Sequence, residues 1–256
     1  KRQATQLGIP FIFAFIIGII LTGLLGFILE RTFLRPMVGE PVFSVAVLTI
    51  GIDILLRVVL DNWIGINPKY MGDPFPSYGN FGSLNIGGLT VKYLEVTALI
   101  TSLVLISILS VFFKRSKYGV AMRATSLDQE AALAQGINVG RVFGLVWFIA
   151  GLLAAFAGFF ITGGFNTLTN TSFISALRAL PAVVIGGLDS ITGAIIGSLI
   201  IGLTQAYVGY YQFDIESAYN IKLGNGFSIV APYLIMFVIL LVKPHGLFGT
   251  EEVERV

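Results

Sequence analysis

The sequence predicts an all-α integral membrane protein, a polytopic bundle of about six to seven helical spans. Three observations carry this. Hydrophobic residues make up 55% of the chain and charged residues only 12%, against about 25% charged in ordinary soluble domains; mean hydropathy is +0.88. Apolar runs long enough to cross a bilayer recur along the whole length. The remaining charges gather in the connectors between those runs.

The runs are 9–29, 42–60, 93–113, 142–161, 191–211 and 227–242. A spanning helix needs roughly 17–25 mostly apolar residues. The last run is slightly short and extends through Lys243 by snorkelling. Barrel strands would be shorter and would alternate, and no such pattern is present. There is no cysteine and a single histidine, His245, so neither a disulfide nor a histidine-rich metal site is expected, and no cofactor is implied. The net charge of +2 is too small to argue for a nucleic-acid partner.

Connector charge sets orientation. Residues 114–141 hold Lys114, Arg115, Lys117, Arg123 and Arg141, against Asp128 and Glu130. Residues 61–92 hold only Lys69 and Lys92, against Asp61 and Asp73. The positive-inside bias places 114–141 in the cytoplasm and 61–92 outside. Alternation then places 30–40 and the 243–256 tail inside, and 164–176 outside, within one transmembrane domain over 1–256. Lys1 and Arg2 fall outside against the bias, which one or more spans preceding Lys1 would resolve. No signal-peptide pattern is present.

Residues 176–210 are too few for two full spans, which need about 40, and "GGLDS" (186–190) interrupts them. One reading is a broken pair: a short helix ending near Ile185, a turn, and a helix capped by Asp189 or Ser190. The other is a tight hairpin between two tilted spans. The external connector is rich in glycine and proline, so it is no continuous helix. Its "SLNIGGLTVKY" suits a short hairpin turning at Gly87-Gly88, either as a docking surface for an external partner or as an inert loop. Small residues four apart, Gly151/Ala155, Ala154/Gly158, Gly193/Gly197 and Ser198/Gly202, allow close helix approach.

Thr49, Asp53 and Arg57 share one face of the second span by their four-residue spacing. Charges inside a span mark a pathway or a pair, so they either line a translocation route or form a self-satisfied pair. Asn166, Thr167, Asn170 and Gln205 are weaker pathway candidates.

Within the basic connector lies "ATSLDQEAALAQGIN" (124–138). Ser126 with Gln129 reads as a capping box. Ala131, Ala132, Leu133 and Ala134 propagate a helix, and Gly136 stops it. A helix of about two to three turns is marginal alone, so it packs either on its own bundle or in a partner's groove.

The chain resembles the permease subunits of ABC importers, and most of all the branched-chain amino acid family. The resemblance rests on "GIPFIFAF…ERTFLRP" (8–36), "YGVAMRATSLDQEAALAQGIN" (118–138), "LRALPAVVIGGLDSITGAIIG" (177–197) and "KPHGLFG" (243–249), and it covers essentially the whole chain. Glu130-Ala131-Ala132, then three residues, then Gly136, match the "EAA…G" loop of such permeases. The Ile-x-Leu-Pro that follows in the wider motif is absent, since 146–149 reads Val-Trp-Phe-Ile. The family usually carries further hydrophobic sequence before this point.

The resemblance implies that Ser126, Asp128, Gln129, Glu130, Ala131, Ala132 and Gly136 form the element that docks on the ATPase, with Glu130 pairing or capping and Gly136 permitting the turn. It implies as partners two ABC ATPase subunits, a second permease subunit (a copy or a relative), an extracytoplasmic substrate-binding protein and the bilayer of a prokaryotic cell membrane. No G-x-x-x-x-G-K-[ST] phosphate loop is present, so ATP hydrolysis belongs to a partner. The expected function is ATP-driven uptake of branched-chain or related amino acids. The alternatives are a urea or short-chain amide permease, and an ion-coupled secondary transporter using Asp53 and Arg57.

Overall fold

The structure is a computed structural model. It describes residues 11–38, 40–65, 67, 69–70, 83–86, 89–165, 167–168, 174–177, 179–220, 222, 224 and 226–249. The chain divides into two compact units, Lys1–Asn170 and Thr171–Val256. Among the described residues, five helices are long and apolar enough to cross a membrane, and no more than 17% of the most apolar stretch of any of them is buried inside the chain. Such faces need lipid or protein around them.

In the first unit, α1 (Phe11–Leu29) runs on through a π-helical turn (Glu30–Leu34) and a 3-10 turn (Arg35–Met37). The connector expected from residue 30 is therefore largely helical, ending where Pro36 and the extended Val38 stop it. Next come α2 (Val42–Ile64), β1 (Lys69–Tyr70), β2 (Ser83–Ile86), β3 (Leu89–Lys92) and α3 (Tyr93–Arg115). They are followed by α4 (Lys117–Leu127), α5 (Gln129–Ala134), α6 (Val139–Phe165) and β4 (Thr167–Leu168). The expected hairpin is present: β2 and β3 pair antiparallel with Ile86 opposite Leu89. Its turn residues 87–88 lie outside the described residues. β1 pairs with β4.

Helices α1 and α6 pack backbone to backbone. A Cβ on Gly26 would lie 2.5 Å from the Trp147 carbonyl oxygen, and one on Gly151 would lie 2.6 Å from the Thr22 oxygen. Phe15 meets Phe156 edge-on at 5.7 Å and Phe159 at 4.6 Å between ring centroids. Without a hydrophobic drive between helices in lipid, such contact is what holds them. Gly151 was expected at such a contact; Gly23 and Gly26 on the facing helix were not singled out. Gly158 and Gly202 face open space.

In the second unit, α7 (Ile174–Leu177) and α8 (Ala179–Gly186) precede α9 (Ile191–Tyr219) and α10 (Phe227–Val242). The broken-pair reading holds. An eight-residue α8 ends at Gly186, and Ser190 caps α9 by accepting the Gly193 N–H at 3.0 Å. Glycines let α8 and α9 touch: a Cβ on Gly186 would lie 2.2 Å from Gly193 carbonyl carbon, and one on Gly197 would lie 2.0 Å from the Ala182 oxygen. Ala182, Ile185 and Ile201 form the buried centre, flanked by Ile235, Ile239 and Leu247.

Candidate functional site

The basic connector folds as a corner of two short helices. α3 ends at Arg115, and Ser116 caps α4 by accepting the Gly119 N–H at 2.9 Å. The turn is so tight that a Cβ on Gly119 would lie 2.4 Å from the Phe113 oxygen. The Arg123 guanidinium donates to the Phe113 carbonyl, placing a cation where the last carbonyls of α3 point, the favourable end for positive charge.

Three expectations for 124–138 are corrected. Ser126 caps nothing: it sits inside α4 and its hydroxyl donates to the Arg123 carbonyl at 2.9 Å. The cap of α5 is Asp128, extended at φ −158°, whose carboxylate accepts the Ala131 N–H at 2.9 Å. Gln129 becomes the first residue of α5, two positions too early to close a capping box. α5 spans six residues, shorter than expected, because α4 occupies the residues before it. Ser was the stronger capping signal on spacing; Asp won because α4 continues through Leu127.

Gly136 behaves as expected. Its φ is +80°, its N–H donates to the Leu133 carbonyl at 2.9 Å, and the Ile137 N–H donates to the Ala132 carbonyl at 3.0 Å. These two bonds make a Schellman closure. Asn138 then accepts the Arg141 N–H at 3.0 Å at the start of α6.

The corner is closed by caps along its backbone and apolar at its tip. Ala132 is buried at 3% exposure, while Leu127 is 88% exposed and Leu133 58%. Ala131 and Glu130 are exposed, and Glu130 forms no ion pair with any described residue. One side of the loop helix packs on its own chain, as the first reading expected, and the other side is open. Behind it is a cleft of about 500 Å³ lined by Met122, Thr125, Gln129, Val142, Phe143 and Val146, among others.

A polar centre that spacing did not reveal lies beside it. Glu30 is 2% exposed, and Arg35 Nε donates to its Oε1 at 3.3 Å. Residues five apart do not meet on an α-helix; the π-turn between them brings them together. Arg35 Nη2 donates to the Gly140 carbonyl at the start of α6. Glu30, Arg35, Gln129 and Phe143 share a second cleft of about 270 Å³.

The candidate pathway residues separate. Asp53 and Arg57 form a side-on bidentate pair, Nε to Oδ2 at 2.8 Å and Nη2 to Oδ1 at 2.9 Å. This is the self-satisfied arrangement. Thr49 donates to the Ala46 carbonyl at 2.8 Å. Gln205 keeps a buried amide nitrogen without a hydrogen-bond partner among the described residues. Thr167 lies in β4; Asn166 and Asn170 lie outside the described residues.

The sequence matches the family described as branched-chain amino acid transport system, permease component, over residues 3–242. The high-affinity branched-chain amino acid transport system permease protein BraD of Pseudomonas aeruginosa is 27% identical over 244 residues, covering 95% of this chain and 76% of that protein. LivH of Salmonella typhimurium, with the same description, is 30% identical over 248 residues, covering 94% and 75%. A galactose/methyl galactoside import permease, MglC of Escherichia coli, is 29% identical over 152 residues, covering 54% and 44%. No solved structure matches.

Proposed function

The chain belongs to the branched-chain amino acid transport permease family, and on that premise we propose that it is the membrane-spanning subunit of an ATP-driven importer of branched-chain or related amino acids. It forms one permease domain and works with a second permease subunit, two ABC ATPase subunits and an extracytoplasmic binding protein. Residues 114–141 and the 243–256 tail face the cytoplasm, and residues 61–92, with the hairpin, face outside, as the basic bias of the connectors supports.

The observation that carries this reading is the α4–α5 corner. Leu127 and Leu133 are left open to water on a segment capped at Ser116, Asp128 and Gly136. Exposed apolar side chains on a capped corner suit insertion into a partner groove. In this reading Ser126 and Asp128 shape the corner, Gln129, Ala131 and Ala132 form the inserted helix, Glu130 meets a basic group of the ATPase, and Gly136 turns the chain back. ATP binding closes the ATPase pair, the corners of the two permeases move together, and the differential energy between inward and outward states comes from ATP.

Thr49, Asp53, Arg57, Asn166 and Gln205 are proposed along the translocation path. The bidentate Asp53–Arg57 pairing supports reading those two as mutually neutralised rather than as an ion-coupling site. The test is uptake of labelled leucine into proteoliposomes holding the full complex. Uptake should fall with ATP depletion and survive an ionophore; uptake that follows the ion gradient and ignores ATP would sink the proposal.

A further inference from the structure

The "ERTFLRP" segment holds a charge pair, one member buried and the other partly exposed, that docking of the loop does not use. Arg35 presents two side-on donors, Nε and Nη2. At Arg57 the same two atoms grip both oxygens of one carboxylate, Asp53. At Arg35 they are split: Nε binds Glu30 Oε1 at 3.3 Å, and Nη2 binds the Gly140 carbonyl. Glu30 Oε2 is left buried with no hydrogen-bond partner among the described residues. A buried unpaired polar atom is unfavourable, and here the second arm of the Arg35 fork goes to another helix instead.

Three features make the split a designed contact. The π-turn that brings Glu30 to Arg35 is a rare geometry, concentrated at functional sites. Gly140 leaves room for the guanidinium to lie flat, since a Cβ there would be 2.8 Å from Nη2 and 2.9 Å from Cζ. Gly144 does the same for the carboxylate, its Cβ position lying 3.3 Å from Oε2. Gly140 is also only a few residues beyond the closure of α5 at Gly136.

Building on the importer reading, we infer that Arg35 is a positioning residue of the transport cycle, a latch with two seats. In the state seen here its fork ties the inner end of α1 to the start of α6. When the loop moves, Nη2 leaves Gly140 and takes Glu30 Oε2, while Nε keeps its hold on Oε1. One hydrogen bond is exchanged for another, the helix-to-helix tie for a closed pair within the segment. A discrete two-state element of this kind is what coupling between distant sites requires.

The experiment uses the full complex in proteoliposomes, with ATP hydrolysis and leucine uptake measured together. Glu30→Gln keeps one acceptor and removes the second, so the latch stays on Gly140, and uptake and transport-stimulated hydrolysis fall together by about tenfold, within the usual range of coupling energies. Arg35→Ala removes both holds, so hydrolysis continues and uptake per ATP falls by about tenfold. Arg35→Lys, a single point of charge that cannot fork, lies between.

Gly140→Ala fills the guanidinium's place without removing a charge and should mimic Arg35→Ala, which keeps the test open if that variant fails to assemble. Identical losses in all four variants, or none, overturn the latch. A second readout is independent of cargo and ATPase. The chain has no native cysteine, so spin labels at exposed Arg31→Cys and Gln135→Cys report the α1-to-loop distance in the permease alone in nanodiscs. Arg35→Ala should broaden a narrow distribution; an unchanged one overturns the inference. If the unsubstituted complex imports no amino acid, the functional reading fails while this distance still decides the latch.

Discussion

Helices are interrupted at two places that the resemblance motifs also mark, between α4 and α5 and between α8 and α9. They are closed in opposite ways. At the α4–α5 corner the free backbone groups are met by side chains and local turns: Ser116, Asp128 and the Gly136 closure. Space around Gly136 is open, with nothing within 4 Å of a Cβ built there. At the α8–α9 break the partner is distant backbone. The Leu247 N–H donates to the Ile185 carbonyl at 2.7 Å, and the Phe248 N–H donates to the Gly186 carbonyl at 3.1 Å. The "KPHGLFG" segment thus lies along the end of α8, and Ile185 beneath it is fully buried. One interruption leaves its surface open; the other is sealed by the chain itself. Broken helices in membrane proteins survive only where their backbone is satisfied by protein or water, and these are two solutions to that demand.

The difference can be broken or sharpened by substitution. The largest effect belongs to the sealed break. Gly186→Val or Gly193→Val drives a side chain into facing backbone, 2.2 Å and 2.0 Å away at the Cβ position. Each should cost at least the upper end of the about 1–3 kcal/mol for overpacking, read as loss of the folded peak in detergent size exclusion. Next is Gly246→Ala. Its φ of +80° costs a side-chain residue about 1–2 kcal/mol, and its Cβ would lie 2.7 Å from the Val184 oxygen, so the loss in thermal unfolding should exceed that range.

Gly136→Ala has the same φ with open space around it, so it should lose only the about 1–2 kcal/mol of the backbone itself. The comparison of Gly246 with Gly136 separates backbone strain from crowding. Asp128→Ala should lose about 1 kcal/mol of corner stability and Asp128→Asn almost none, seen in hydrogen exchange of the α5 amides. Leu127→Ser, at a side chain 88% exposed, should leave the melting temperature unmoved and weaken capture of the ATPase. A Leu127→Ser chain that unfolds early would show that the tip packs on its own bundle.

The helical bundle and the break at 186–190 were legible in the sequence because their causes are local. Run length and hydropathy set the spans, and Phe227–Val242 matches its apolar run at both ends. Glycine at 136 predicted a helix stop, and "GGLDS" offered a break capped by Asp189 or Ser190, of which Ser190 is the cap. The Asp53–Arg57 pair was legible because i and i+4 meet on any α-helix. Helix α4 was missed because its sequence, KYGVAMRATSL, carries no strong apolar period. The cap at Ser126 was misplaced for the same reason: a capping residue is defined by where the previous helix ends, and that end was invisible.

Glu30 and Arg35 show the other limit. Five residues apart, they share a face only on a π-turn, and their third member, Gly140, lies 105 positions beyond Arg35. The partners of the α8 carbonyls are equally remote, since Leu247 and Ile185 meet only when α10 returns the chain beside α8. By itself, then, the sequence determined that this chain lives in a bilayer, where its spans lie and which loop is basic, because hydropathy and charge act residue by residue. Tertiary structure alone decided which donors and acceptors meet across the bundle, because in a membrane those groups must find one another, and no local pattern records the distance between them.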